Sequence, residues 1–101
     1  MNNNKNDILL TININAATIK KLGAKRIGIF GSFLHNNNHA ESDVDLIVEF
    51  ENGKKNFSNY TGLYQFLTEI LRRKIDFLTP ESLSPYLESK ILKDIQYVSF
   101  N

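Results

Sequence analysis

Two aspartates, Asp43 and Asp45, stand two apart in the segment DVDLIVEF at 43–50. In an extended chain, residues two apart leave the same face, which sets these carboxylates roughly 7 Å from each other. Aspartate is depleted in strands and like charges on one face repel, so packing alone explains the pair poorly. A divalent cation resolves it, because Mg²⁺ prefers one or two carboxylates with water and phosphate oxygens over an all-protein cage. Asp76, between Ile75 and Phe77 in KIDFL at 74–78, repeats the anomaly. An ionised carboxylate in a strand is costly to bury unless it is hydrogen-bonded or faces a cation. Three carboxylates placed in this way suggest a two-metal site. Upstream, Gly31-Ser32 closes the run AKRIGIF at 24–30. A glycine there lets backbone N–H groups approach an anion, and the serine hydroxyl adds a donor, so the pair can cradle a phosphate. Metal-assisted transfer at a phosphate needs little more than these two features.

Three elements must hold these residues. AKRIGIF carries β-formers and reads as a strand, and DVDLIVEF is the clearest strand of the chain. Its Val44, Leu46, Val48 and Phe50 alternate with Asp43, Asp45, Ile47 and Glu49. KIDFL forms the third strand, ended by Thr79-Pro80. Residues 1–12 read as a flexible N-terminal tail, beginning with the polar MNNNKND, and 13–101 as the folded domain. Ile12, Ala16, Ile19 and Leu22 recur at helical spacing before Gly23, predicting a helix over about 13–22. HNNNHAES and ENGKKNFSNY read as loops. Leu63, Phe66, Leu67, Ile70 and Leu71 form the stripe of an amphipathic helix ended by Arg72 and Arg73, whose charges suit its C-terminal dipole. Ser84-Pro85 starts a last helix over about 85–93, and QYVSF is a candidate edge strand. The fold class expected is α/β (α+β), a small mixed β-sheet covered by helices.

Composition narrows the function classes. A chain of 101 residues suits one core and leaves no room for a second lobe. Twelve Lys and Arg against eleven Asp and Glu, a net charge of +1, give none of the field of a general nucleic-acid or membrane-surface binder. With no cysteine there is neither disulfide framework nor thiolate chemistry, and Ile8-Leu9-Leu10 is too short for a signal peptide, so the cytoplasm is the expected compartment. His35 and His39 flank three asparagines and read as residues of a solvated or phosphate-adjacent loop rather than metal ligands. Tyr60, Tyr64, Tyr86 and Tyr97 read as core or rim packing, and Lys54-Lys55 as a solvated charge pair.

Gly31-Ser32, ten intervening residues, Asp43-Val44-Asp45 and then the strand-borne Asp76 make a pattern that resembles the DNA polymerase beta-like nucleotidyltransferase superfamily. RIGIFGS, SDVDLIVEF, the amphipathic helix and KIDFLTPESLSPYLESKIL extend the likeness over about 20–98 to the minimal nucleotidyltransferase (MNT) family, whose members commonly pair with HEPN proteins in toxin–antitoxin modules. The resemblance implies a nucleotidyltransferase fold in which Gly31 and Ser32 take the nucleotide phosphates, with Ser42 supporting the loop. Asp43 and Asp45 would bind both of two Mg²⁺ ions, and Asp76 the one that activates the acceptor hydroxyl. It further implies transfer of AMP from ATP to a hydroxyl of a HEPN-type toxin in a hetero-oligomer, without membrane or direct nucleic-acid binding. A binding-only antitoxin that masks the toxin, or a small-molecule nucleotidyltransferase, is the alternative. Where the family often carries A-R-G after G-S, this chain has Leu34-His35-Asn36, so a basic phosphate contact is weakened or comes from elsewhere.

Overall fold

Alternation in the sequence becomes a two-faced sheet. In the computed structural model, which describes residues 4–34, 43–91 and 93–100 and only the backbone of Ser32, β1 (Ala24–Phe30) pairs antiparallel with both β2 (Val44–Phe50) and β4 (Gln96–Ser99). β3 (Ile75–Leu78) lies parallel to β2, giving the order β3-β2-β1-β4 and a mixed sheet. Ile27, Ile29, Val44, Leu46, Val48, Ile75, Phe77 and Val98 line one face and are all buried. Helices α1 (Lys5–Ile14), α2 (Ala16–Lys21) and α3 (Phe57–Leu71) cover that face with Ile8, Ile12, Ile19, Leu63, Leu67 and Leu71. Each such Leu or Ile contributes about 1.5–3 kcal/mol of burial. A fourth helix, α4 (Pro85–Ile91), starts at Ser84, whose hydroxyl accepts the Leu87 N–H at 3.3 Å.

The sequence-based outline departs from this structure at five places. Residues 1–12 are not simply a tail, because α1 begins at Lys5 and buries Ile8 and Ile12 completely. Its asparagines and threonine are poor helix formers, yet Asn4 caps the first turn through the Asp7 N–H at 3.0 Å, and Asn13 and Asn15 donate back to the Leu9 and Thr11 carbonyls. The helix expected over 13–22 is broken at Asn15, and its end holds as expected, with Gly23 at φ 95. The second loop is shorter than expected, since Asn56 caps α3 and Phe57 to Tyr60 are helical. Lys55 is not merely solvated, for its ammonium bonds Glu81 and lies 3.3 Å from Thr79 Oγ1. Tyr60 and Tyr64 pack edge-on against Phe77 and Tyr97 lies beneath the Arg26 guanidinium, as packing residues should, but Tyr86 is 68% exposed.

The other face of the sheet carries the polar positions. Arg26, Gly28 and Phe30 of β1 lie opposite Glu49, Ile47 and Asp45 of β2, and Asp45 lies beside Asp76. Ile47 is fully buried even so, because Ile95 and Tyr97 close over the space left by Gly28. Among the described residues no helix is long and apolar enough to cross a membrane.

Candidate active site

Parallel pairing of β2 and β3 sets the site. Their register makes Asp45 the partner of Asp76, on strands about 4.8 Å apart, so two residues thirty-one positions apart in sequence share one end of one face. Asp43 stands one residue before β2 and is exposed, as is Asp76, while Asp45 is half-buried. The Val44 N–H donates to the Lys74 carbonyl at 3.0 Å and fixes the entry of both strands.

β1 delivers the third component. Its last residue, Phe30, lies opposite Asp45, after which Gly31–Phe33 makes one 3-10 turn closed by the Leu34 N–H on the Gly31 carbonyl at 3.1 Å. Gly31 has φ 75, and a Cβ built there would lie 2.2 Å from Asp45 Oδ2. Only glycine lets the carboxylate rest against the backbone. Phe33, fully buried, anchors the turn in the core, and the Arg73 guanidinium covers its ring at 4.9 Å from the centroid.

These carboxylates feel one another. Asp45 is pushed up to about 6, first by burial and then by the charges of Asp76 and Asp43. The folded state therefore binds a proton on Asp45 more tightly than the unfolded chain, so this site contributes stability that is fully present below pH 3.8 and lost as pH rises through about 6. Metal-free protein is expected to melt at progressively lower temperature across that window, and Asp45→Asn to flatten the slope. Calorimetric melting at stepped pH checks both.

Among the described residues no three such side chains converge closely enough to hold an ion as they stand. The donor set nevertheless fits a hard divalent cation. It is all carboxylate oxygen, two of the three groups are exposed, and their repulsion is what a cation would relieve. Ser42, His35 and His39 lie outside the described residues. What the motif could not reveal is a cavity of about 410 Å³ beside Gly31, walled by Phe30 and by Leu87, Lys90 and Ile91 from the last helix, with Asp94. It arises where α4 meets the end of β1, a tertiary contact without a local signal.

The nucleotidyltransferase domain model matches residues 13–98. A "putative protein adenylyltransferase" of Methanocaldococcus jannaschii is 40% identical over 80 residues, covering 77% of this chain and 80% of the relative. A solved structure described as a "putative minimal nucleotidyltransferase" superposes with a TM-score of 0.71 at 26% identity, covering 87% of this chain and 93% of that one. The same fold recurs, with a TM-score of 0.54 at 21% identity over 84% of this chain and 69% of the other, in the Shewanella oneidensis complex of a tri-AMPylated HEPN toxin with an MNT antitoxin. With a glycine turn against a strand-borne carboxylate and a second carboxylate in register beside it, the chain belongs to the nucleotidyltransferase domain family and is a nucleotidyltransferase of the minimal type.

Proposed function

We propose that this nucleotidyltransferase takes AMP from ATP and places it on a hydroxyl of a cognate HEPN-type toxin, acting as the antitoxin of the pair. The observation that supports the reading is Asp45, packed against Gly31 and in register beside Asp76, since this brings a glycine turn and two carboxylates together at one end of the sheet. The M. jannaschii relative is named for protein adenylylation, and the S. oneidensis complex joins an AMPylated HEPN toxin to an MNT antitoxin; both favour a protein acceptor.

Asp43, Asp45 and Asp76 would hold Mg²⁺, two ions in this reading. When bound, Mg²⁺ neutralises phosphate charge and favours in-line displacement. The backbone at Gly31 and Ser32 would take the phosphates, Ser42 would support the loop that follows, and Asp45, braced by Gly31, would fix the donor relative to the strand ends. Asp76, more exposed and on the outer strand, would act on the acceptor side. Attack by the acceptor oxygen forms the new bond to the α-phosphorus and releases pyrophosphate. ATP as donor sets the reaction in the cytoplasm, and the pairing makes a hetero-oligomer.

The test is transfer of label from α-labelled ATP, with Mg²⁺, to a candidate HEPN-type partner from the same source. Label on that protein is expected. Label on an added metabolite alone would redirect the reading to a small-molecule acceptor, and none at all would leave a masking antitoxin.

A further inference from the structure

The cavity beside Gly31 has a composition that the carboxylate site does not explain. Its walls are apolar at Phe30, Leu87 and Ile91, and Lys90 is its one cationic side chain. Lys90 is exposed and, among the described residues, forms no ion pair; its ammonium lies 5.3 Å from the centroid of the Tyr86 ring. Asp94, the other charged wall residue, is engaged in an interaction of its own. Arg73, a cation beside the turn, is committed to the Phe33 ring and to a further interaction.

A nucleoside triphosphate arriving here is strongly anionic and meets three carboxylates. The turn after Gly31 offers it no cationic side chain among its described residues, because Leu34 follows Phe33. Gly31 is packed against Asp45, whose Oδ2 a Cβ there would meet at 2.2 Å, and also lines the cavity, so a phosphate chain bound at Asp45 has the cavity beside it. Lysine is suited to the role, being a point charge on a flexible four-carbon stem that follows a mobile phosphate chain. We infer that Lys90 is the phosphate-binding cation of this site, reaching from α4 across the cavity to the β- and γ-phosphates of the triphosphate tail. The inference rests on the proposed use of a nucleoside triphosphate and names the residue that would discriminate triphosphate from monophosphate.

Calorimetric titration of the full chain with Mg²⁺ present, using ATP and AMP as separate probes, tests it. Lys90→Ala is expected to weaken ATP about tenfold and to leave AMP within about twofold, the loss typical of one hydrogen bond to a charged group. Lys90→Arg should recover most of the ATP affinity. Lys93→Ala, which removes the same charge outside the cavity wall, should bind ATP like wild type, and melting temperature should hold for all three because both lysines are exposed. ATP affinity in Lys90→Ala equal to wild type, or lost equally for ATP and AMP, would overturn the assignment while leaving nucleotide binding in place. Wild type that binds no ATP would instead remove the nucleotidyltransferase use of ATP on which the inference stands.

Discussion

Asp45→Asn is expected to lower nucleotidyl transfer by about a thousandfold, the loss of several kcal/mol of charge stabilisation at the reacting phosphate. The same change is expected to stabilise the metal-free protein. Asp45 is half-buried and is pushed up to about 6 by burial and by Asp76 and Asp43, so at neutral pH its charge is carried at a cost. Asparagine keeps the shape and removes that charge. Because solvent still reaches the carboxylate, the gain is on the order of 1 kcal/mol, less than the full shift implies. Activity and stability thus move in opposite directions, a signature that a structural aspartate would not give. Transfer assays and metal-free melting on one preparation check the pair, and a variant that loses both would mark Asp45 as a folding residue.

Gly31→Ala should damage the protein in both respects. The left-handed backbone at φ 75 costs an alanine about 1–2 kcal/mol. The added methyl would also lie 2.2 Å from Asp45 Oδ2, so the carboxylate must swing away or the turn must shift. A total of about 2–4 kcal/mol of lost stability is expected, at the upper end for a single substitution. Nucleotide binding should fall further than the population of folded protein accounts for, since the displaced group is the carboxylate proposed to position the nucleotide. Denaturant unfolding and nucleotide titration at a temperature where the variant is folded separate the two losses. Gly53→Ala is the control, since its Cβ would meet nothing within 4 Å although φ is 79, and it should show backbone strain without any loss of binding.

Local signals carried most of this architecture. The period-two alternation in DVDLIVEF is the buried face of β2, and the Leu63, Leu67 and Leu71 spacing is the buried face of α3. The glycine punctuation at Gly23 and Gly31 marks two positions with positive φ. The elements misread are those whose stability is tertiary. Ile8 and Ile12 fold α1 by docking on the core, where asparagine-rich composition alone argues for a loose end. Phe57 opens α3 while remaining 84% exposed, so no burial pattern announces it. At the candidate site, motif spacing proposes Gly31, Asp43, Asp45 and Asp76 but does not predict that Asp45 and Asp76 are register partners or that Gly31 is pressed against Asp45. Those relations come from strand pairing. The cavity wall from α4 lies further still from any local pattern, because Lys90 reads in sequence as an ordinary basic residue near a helix end.

The most direct measurement is the intact mass of the proposed HEPN-type partner after incubation with this chain, Mg²⁺ and ATP, run in parallel with Asp76→Asn. Asp76 is exposed on the outer strand and is assigned to the acceptor side of the reaction, so its amide variant should still form the complex. If AMP transfer is the function, the partner should be heavier by whole AMP units with wild type and unchanged in mass with Asp76→Asn. A partner that stays unmodified with every common nucleoside triphosphate, yet is inhibited equally by wild type and Asp76→Asn, would contradict it.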